Sequence, residues 1–449
     1  MEIIKPRTLS GFMELLPAQQ TYFSAMIQKL RESFALYGFT PLDTPLMEAA
    51  EILLAKGGGE TEKQIYRVQK GDADLALRYE LTASLAKYVA MYHGRLTFPF
   101  RRYEIGKVYR GERAQRGRFR EFYQADIDVI GDGSLDVIND AEIPSVIYRC
   151  FTSLGLKKFV IRINNRKLLS GFFELTGVGE KSVDVMRAVD KLDKIGEEKL
   201  SAMLMEDLGL TQQQVTSILD FVTYKGDPFD VINKHRGGNE LFDLGADEVE
   251  TVSRHISGFG VPEENFKIDL SIARGLDYYT GTVYETRLTD HPEVGSVCGG
   301  GRYDNLAGYY TDRKLPGVGI SLGLTRLFYI LQEQELLNSE APSAPADVLI
   351  IPMTDDLSHA VALATSMRGE GLRVQIHSEG KKFKMKLSYA DKLNIPFVVF
   401  LGEDEIKSGL ITVKDMAEGS QTTASAGILT AGLAEKVKLL RDKAPIKEK

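Results

Sequence analysis

The sequence RGLDYYTG at positions 274–281 combines one arginine, one aspartate, two tyrosines and two glycines within eight residues. The five residues that follow, TVYET at 282–286, alternate β-branched and aromatic side chains, which predicts a strand. The polar cluster therefore lies at a turn that leads into a sheet, where two phenols and a carboxylate can converge on a small polar ligand. A surface turn before an ordinary hairpin explains the same residues equally well.

Length and composition describe a globular chain. The 449 residues fit about two to four domains. Hydrophobic residues make up 43% and charged residues 27%, and no run approaches the roughly 18 apolar residues of a membrane span, so we expect no membrane. Two cysteines and no signal-peptide pattern favour a reducing, cytoplasmic setting. The net charge of -7 argues against general binding to polyanions but leaves a local nucleic-acid site open.

An arginine-rich stretch occupies positions 98–129. Its arginines alternate with aromatic residues, a mixture that suits a ligand bearing both a phosphate and a ring that can stack. The pattern predicts two antiparallel strands, around 108–110 and 122–129, joined by a long loop at 111–120. A solvated hairpin tip is the plainer alternative, but only Glu112 and Glu121 supply counter-charges to the loop. The arginines are Arg101, Arg102, Arg110, Arg113, Arg116, Arg118 and Arg120.

Three further stretches combine polar groups with a predicted element boundary. Glu80 and Thr82 lie where a strand leads into a helix, so they can bind an ammonium group, although helix capping is the commoner role of such a threonine. The run GGGRYD at 299–304 lets backbone lie close to a ligand. At 317–327 a glycine-rich strand leads into a helix with Arg326 near its start, either in a site or reaching water.

The sequence patterns of the remaining chain predict separate modules. Residues 181–259 are helical, and their apolar stripes indicate core packing. After the proline-bearing segment 339–345, strands and helices alternate, which predicts a small parallel α/β domain. A lysine run at 381–386 in that domain is either a solvated helix face or a surface that contacts a phosphate backbone.

Taken together, these motifs resemble those of histidyl-tRNA synthetases. Residues 274–281 resemble the histidine-specific motif of that family, and 299–304 its glycine-rich strand. The arginine loop has the form of motif 2 of class II aminoacyl-tRNA synthetases, Gly323 to Arg326 resembles motif 3, and the region ending in Pro45 is similar to motif 1. The motifs occur in the family's order over nearly the whole chain.

The resemblance implies an α+β catalytic domain with an antiparallel sheet flanked by helices, a helical insertion, and a C-terminal α/β domain like those that bind anticodons. We expect the catalytic domain at 1–180 and 260–335, the insertion at 181–259, a linker at 336–345 and the C-terminal domain at 346–449. The resemblance also implies a cytoplasmic homodimer that acts on L-histidine, ATP with Mg²⁺, and tRNA(His).

Carried over position by position, the resemblance implies two overlapping sets of site residues. The histidine-binding set is Glu80, Leu81, Thr82, Arg110, Gln124, Asp128, Arg274, Tyr278 and Tyr279. The ATP-binding set is Arg110, Glu112, Arg118, Phe122 and Arg326. Arg110, Arg274 and Arg326 are the implied catalytic residues, the first two at the α-phosphate and the third at the γ-phosphate. Phe122 is expected to stack on adenine.

The implied chemistry agrees with the residue types. A carboxylate that attacks phosphorus needs arginines and Mg²⁺ for the developing charge, and it needs no side-chain base because it is already ionised. An anion such as Asp128 together with phenols can bind both nitrogens of an imidazole. The six histidines are scattered and no Cys/His group has metal spacing, so we expect no metal site built by a protein cluster.

Two positions depart from the family pattern. Thr325 stands where an acidic residue is common in motif 3, and Ala114 where proline is frequent in motif 2. The competing interpretations are a non-catalytic, synthetase-like regulatory subunit of ATP phosphoribosyltransferase, a sensor of uncharged tRNA, and a class II synthetase for another amino acid. The regulatory and sensor paralogues tend to lose the arginines or the C-terminal domain, and this chain keeps both. A synthetase for another amino acid would have to explain the paired tyrosines after Arg274.

Overall fold

The computed structural model describes residues 3–55, 59–273, 278–337 and 344–441. The chain forms two compact units, one made of 1–13 with 29–334 and the other of 14–28 with 335–449. Most of the predicted linker, residues 338–343, lies outside the described residues, as does 274–277 of the motif at 274–281.

Strands β1 to β11 all belong to the first unit. They are β1 (Thr40–Pro41), β2 (Met47–Ala49), β3 (Arg67–Lys70), β4 (Ala73–Leu77), β5 (Phe100–Tyr109), β6 (Glu121–Ile130), β7 (Phe159–Asn165), β8 (Phe266–Ile268), β9 (Thr282–Leu288), β10 (Ser296–Tyr303) and β11 (Gly317–Gly323). The second unit contains β12 (Val348–Pro352), β13 (Val374–Ile376), β14 (Phe397–Leu401), β15 (Leu410–Asp415) and β16 (Gln421–Ser425).

The described residues also form α-helices in both units. Those up to residue 258 are α1 (Pro17–Leu36), α2 (Ala50–Leu54), α3 (Gly59–Gln64), α4 (Thr82–Tyr92), α5 (Ile138–Leu154), α6 (Arg166–Leu175), α7 (Ser182–Val189), α8 (Leu192–Ile195), α9 (Glu197–Glu206), α10 (Gln212–Val222), α11 (Pro228–His235) and α12 (Glu240–Gly258). The rest are α13 (Leu324–Glu333), α14 (Ser358–Gly369), α15 (Phe383–Lys392), α16 (Glu403–Ser408) and α17 (Ala426–Arg441).

The large sheet of the first unit has the order β1-β5-β6-β11-β10-β9-β7-β8 among the described residues. Its interior pairs are antiparallel, and only the short edge strands β1 and β8 pair in parallel. The prediction of an antiparallel sheet flanked by helices is therefore confirmed. The two strands predicted around the arginine loop are β5 and β6, which pair along their whole length from Phe100 opposite Ile130 to Tyr109 opposite Glu121.

Helix α5 covers the sheet with its apolar side, which includes the fully buried Phe151 and Leu154. It ends at Gly155, whose φ of 95° is the left-handed conformation that glycine adopts most readily. The helix end is closed because the Gly155 N–H donates to the carbonyls of Phe151 and Thr152.

The helices α7 to α12 form the helical region that the sequence predicted. Their apolar stripes pack into one core, as expected, and at its centre the rings of Phe172 and Phe221 stack with centroids 3.9 Å apart. That core also takes in side chains of α6 and Leu270. The helical region and the large sheet therefore belong to the same compact unit.

The second unit contains a sheet of order β13-β12-β14-β15-β16. The first three strands are parallel, as predicted from the alternation of strands and helices. The prediction of a parallel α/β domain holds for these three strands and not for β15 and β16, which form an antiparallel hairpin on the edge of the sheet. The hairpin turns at Gly419, which has a φ of 71°, while Asp415 Oδ1 accepts the N–H groups of Ala417 and Glu418.

Candidate active site

One cavity of about 450 Å³ opens in the first unit beside the central strands of the large sheet. Most of the predicted site residues line it: Glu80, Thr82, Arg110, Glu112, Arg118, Phe122, Gln124, Asp128, Tyr278, Tyr279 and Arg326. Leu81 does not line the cavity, because its fully buried side chain packs toward Gly106 of β5. Arg274 lies outside the described residues. Residues far apart in sequence are thus brought around one space.

Arginines and one aromatic ring define one end of the cavity. Arg110 follows β5 directly, and its guanidinium carbon lies 5.2 Å from the centre of the Phe122 ring on β6. Its Nε donates to the carbonyl of Tyr79 at 3.2 Å, so the guanidinium plane has a fixed direction. A cation held against an aromatic face at this point suits a ligand that carries both a phosphate and a base.

Two more arginines complete this end. Arg118, in the loop between β5 and β6, lies 3.8 Å from a carboxylate oxygen of Glu112. Arg326, in the first turn of α13, donates from Nη1 to the carbonyl of Ser296 at 3.2 Å and from Nη2 to the carbonyl of Val294. The interpretation of Arg326 as a side chain that merely reaches water does not fit these contacts.

Thr325 has a defined role in place of the acidic residue common in motif 3. Its hydroxyl oxygen accepts the backbone N–H of Tyr123 at 2.8 Å. The side chain is 2% exposed. The first turn of α13, which carries Arg326, is thereby tied to β6, which carries Phe122.

The opposite end of the cavity is acidic and buried. Gln124, Asp126 and Asp128 alternate along β6 and therefore point to one face of the sheet. Asp128 Oδ2 lies 2.6 Å from Nη2 of Arg102 on the neighbouring strand β5, and Asp128 Oδ1 accepts a hydrogen bond of 2.6 Å from the Tyr303 hydroxyl. This end therefore offers oxygen acceptors to a ligand that carries N–H groups.

Burial changes the protonation of both aspartates. Removal from water raises the pKa of Asp126 to about 8, and the charge of Arg102 only partly opposes that effect. The same burial raises the pKa of Asp128 to about 6, opposed by Arg102 and by the hydrogen bond from Tyr303. Burial therefore favours the protonated form of both carboxyl groups, and more strongly at Asp126 than at Asp128.

One more carboxylate and two tyrosine hydroxyls complete the acidic end of the cavity. Glu80 is 4% exposed, and Tyr278 and Tyr279 lie with their ring centroids 4.8 Å apart. Burial raises the pKa of both tyrosines well above the usual range, so both hydroxyls keep their protons. Tyr278 also hydrogen-bonds Thr82. Carboxylate, hydroxyl and phenol together form a suitable pocket for an ammonium group.

Oε1 of Gln124 and Oδ1 of Asp126 are among the buried oxygen atoms of this pocket that have no hydrogen-bond partner within the described residues. Buried acceptors are nearly always satisfied in folded proteins. Both residues line the cavity. Both atoms are therefore placed to hydrogen-bond a ligand or water in the cavity.

Glycines allow the pocket residues to pack this closely. A Cβ atom at Gly319 on β11 would collide with Asp128 Oδ1, and one at Gly301 on β10 would lie 2.9 Å from the Tyr279 ring. The glycine-rich strands at 299–301 and 317–323 thus leave space for the side chains of Asp128 and Tyr279.

Several residues of the site were not assigned from the sequence. Asp126 was missed although its alternation with Gln124 and Asp128 was a usable signal. Tyr303 belongs to the quoted motif GGGRYD, but no role was given to it. Ser321 carried no signal that set it apart from other residues of a strand. Arg102 was counted among the arginines suited to a phosphate, but the structure places it beside Asp128 on the neighbouring strand and outside the cavity lining.

Comparison with known proteins agrees with this geometry. The model of the histidyl-tRNA synthetase family matches residues 11–327, and that of an anticodon binding domain matches residues 347–436. A histidine--tRNA ligase from Clostridium tetani (strain Massachusetts / E88) is 51% identical over 444 residues, which is 98% of this chain and 99% of that protein.

Solved structures agree as well. The crystal structure of histidyl-tRNA synthetase from Nostoc sp. PCC 7120 has a TM-score of 0.88 and 39% identity, and covers 97% of this chain and 100% of that one. An ATP phosphoribosyltransferase regulatory subunit/histidyl-tRNA synthetase from Bacillus halodurans C has a TM-score of 0.73 at 20% identity over 89% of this chain and 99% of that one, which shows a shared fold alone.

A mostly antiparallel sheet that joins an acidic pocket to a cluster of arginines is the arrangement expected of a class II aminoacyl-tRNA synthetase. The family match covers most of the chain, and the relatives match it over nearly its full length. The chain belongs to the histidyl-tRNA synthetase family, which confirms the resemblance seen in the sequence.

Proposed function

We propose that this chain is a histidine--tRNA ligase that activates L-histidine with ATP and transfers it to the 3′ end of tRNA(His). The observation that carries the proposal is the single cavity of about 450 Å³ that joins the acidic, phenolic pocket to the arginine-lined end. The carboxylate of a bound histidine lies between these two ends. The ammonium group and the ring of the same histidine are held at the acidic end, and a phosphate at the arginine end is within reach of the carboxylate.

Histidine binds at the acidic end in this proposal. Glu80 and Thr82 take its ammonium group, while Gln124, Asp128 and the phenols of Tyr278 and Tyr279 surround the imidazole and the carboxylate. The ionised Asp128 accepts one ring N–H. A side chain without donors would leave the buried acceptors of the pocket unpaired, so apolar amino acids are rejected.

ATP binds at the arginine end. Arg110 and Arg274 contact the α-phosphate, Arg326 the γ-phosphate, and Arg118 and Glu112 border the nucleotide, with adenine against Phe122. The substrate carboxylate attacks the α-phosphorus, a bond to pyrophosphate breaks, and the arginines stabilise the charge that builds on the non-bridging oxygens. Positioning supplies most of the rate, since the attacking group is already ionised.

Mg²⁺ accompanies ATP in this proposal. The ion prefers oxygen ligands, and Glu112 presents a carboxylate to the cavity beside Arg118. Phosphate oxygens and water complete the shell of such an ion, which neutralises charge on the leaving pyrophosphate.

The second unit is proposed to bind tRNA(His). Its lysine run begins just before α15, and within that helix Phe383 and Met385 are 45% and 55% exposed. Lysines beside exposed apolar side chains suit contacts with both phosphates and bases. Among the described residues no helix is long and apolar enough to cross a membrane. We also propose a cytoplasmic homodimer.

The domain assignment follows the same proposal. Residues 1–180 and 260–335 form the catalytic domain, 181–259 the helical insertion, 336–345 a linker and 346–449 the anticodon-binding domain. The matched ranges 11–327 and 347–436 are compatible with the division near 340.

Exchange of labelled pyrophosphate into ATP tests the activation step. We expect exchange that depends on L-histidine and is not supported by leucine, and a purified, folded sample without any exchange would sink the proposal. Arg110→Ala serves as the internal check, because it should abolish exchange while the protein stays folded.

Charging of tRNA(His) separates this function from its alternatives. A regulatory subunit of ATP phosphoribosyltransferase or a tRNA sensor would bind histidine or tRNA without forming histidyl-tRNA. The retention of Arg110, Arg326 and the second unit favours the ligase, and labelled histidine recovered on tRNA is the result expected.

A further inference from the structure

Arg102 on β5 is a fully buried cation beside the candidate histidine pocket. Its Nη2 lies 2.6 Å from Oδ2 of Asp128, the residue opposite it in the strand pairing. Its Nη1 lies 3.8 Å from Glu104, two positions further along the same strand. Arg102 is not among the residues that line the cavity, whereas Asp128 is.

The groups that face Asp128 come from several elements. Arg102 and Glu104 lie on β5, Asp126 on β6 and Tyr303 on β10, and Glu80 precedes α4 while Tyr279 lies before β9. Three of these groups are acids, and two are phenols that keep their protons. The one cation among them is Arg102.

Arg78, the neighbouring arginine, does not replace Arg102 as the cation beside Asp128. Arg78 donates from Nη1 to Oε1 of Glu104 at 2.6 Å, and it also donates to the carbonyls of Thr44 and Lys107. Its charge therefore balances Glu104. Arg102 is left to balance the aspartates of β6.

A carboxyl group at Asp128 has opposite hydrogen-bonding character in its two protonation states. When ionised it only accepts, and when protonated it also donates. An ionised Asp128 pairs only with a ring N–H, whereas the O–H of a protonated one pairs with a ring nitrogen that carries a lone pair. The charge of Asp128 therefore determines which form of an imidazole fits.

We propose that Arg102 is a positioning residue that holds Asp128 as a carboxylate aimed into the cavity and thereby sets the protonation state and tautomer of the imidazole that the site accepts. The inference rests on the proposed histidine activation. Arg102 acts through Asp128 and does not touch the substrate.

The pH dependence of kcat/KM for histidine in pyrophosphate exchange tests the inference, because that ratio reports groups of the free enzyme. In Arg102→Gln the acid limb of the profile should move to higher pH by about 1–3 units, the usual effect of an opposite charge at this range. KM for histidine should rise more than kcat falls at pH 7. Free histidine titrates identically in every assay, so differences between variants belong to the protein.

Glu104→Gln supplies a test of opposite sign. It removes an acid that shares Arg102 with Asp128, so the acid limb should move to lower pH. A general structural defect does not shift the limb in opposite directions in two variants. This second variant keeps the inference testable if Arg102→Gln does not fold.

Two further variants complete the design. Arg102→Lys keeps the charge without the forked geometry and should restore the acid limb to within about half a unit of its wild-type position. Arg101→Met removes the adjacent arginine of β5, which pairs with Glu142 at 2.5 Å, and should leave the profile unchanged.

The outcomes separate the inference from the function on which it rests. Wild-type protein that exchanges pyrophosphate, with acid limbs of Arg102→Gln and Glu104→Gln that coincide with its own, would overturn the inference alone. Absence of histidine-dependent exchange in the wild type would overturn the proposed function instead.

Discussion

The hydroxyl of Tyr303 on β10 donates a 2.6 Å hydrogen bond to Oδ1 of Asp128 on β6, across the intervening strand β11. The bond joins the glycine-rich strand to the acidic face of the pocket. It is possible because Gly317 and Gly319 on β11 carry no side chains, and a Cβ at either would collide with Tyr303 or Asp128.

Tyr303→Phe should weaken histidine binding. The change removes a hydrogen bond to a charged group, a loss of about 1.5–3 kcal/mol, which corresponds to a rise of roughly 10- to 100-fold in KM for histidine. The KM for ATP should change little, because Tyr303 lies at the acidic end. Steady-state pyrophosphate exchange measures both constants.

Tyr37→Phe is the matched control, since its hydroxyl donates to the carbonyl of Ser145 at 3.1 Å, away from the cavity. An equal rise of the histidine KM in both variants would contradict the role given to Tyr303.

Gly319→Ala should destabilise the protein and abolish histidine-dependent exchange. The added methyl group would collide with Asp128 Oδ1 and with the carbonyl of Ile127. Overpacking of this kind costs about 1–3 kcal/mol, and here it also displaces a substrate-binding carboxylate. Thermal unfolding and exchange measure the two effects. Gly258→Ala at the end of α12, where an added Cβ meets nothing within 4 Å, should retain full exchange.

The order of strands and helices around the site was predictable because it depends on local patterns. About ten consecutive residues are enough to recognise each of three features: the arginine loop, the glycine-rich strands and the start of α13. The boundaries were less accurate. The sequence of residues 48–54 predicts a helix that starts at Glu48, whereas α2 begins at Ala50 because residues 47–49 pair with β4 as a strand.

The buried charges were not predictable in the same way. In the sequence, Arg102 is one of several arginines in a stretch suited to a phosphate-bearing ligand, and nothing marks Glu104 as its neighbour in a site. Both are buried because Asp128 and Arg78 lie opposite them. Partners that come from other strands leave no trace in the local sequence, so only the assembled sheet identifies this face as part of the site.

Asp126→Asn should stabilise the free protein most at alkaline pH. Burial raises the pKa of Asp126 in the folded protein to about 8, well above the usual range of an aspartate. The folded state therefore binds the proton more tightly than the unfolded state, and stability falls as pH rises between about 4 and 8. Asparagine does not titrate, so its advantage should be small at pH 5 and largest above pH 8.

Thermal unfolding of the free protein across pH 5 to 9 measures this difference. If the unfolding temperatures of the Asp126→Asn variant and the wild type run parallel over that range, the proposed protonation of Asp126 is wrong. Asp136→Asn, at an aspartate outside the cavity, is the matched control.

Thr325→Val should weaken ATP binding more than histidine binding. Valine has the same shape but no hydroxyl, so the backbone N–H of Tyr123 loses the acceptor that it now has at 2.8 Å. An unpaired polar group in a buried position costs about 1–3 kcal/mol. The loss of this hydrogen bond also frees the first turn of α13, which carries Arg326, the residue proposed to contact the γ-phosphate. The unfolding temperature should fall, and the KM for ATP should rise about 10-fold, in line with a loss near 1.4 kcal/mol. Thr325→Ser keeps the hydroxyl and should stay close to the wild type in both measurements. A serine variant as impaired as the valine variant would show that the methyl group, and not the hydrogen bond to β6, is what position 325 requires.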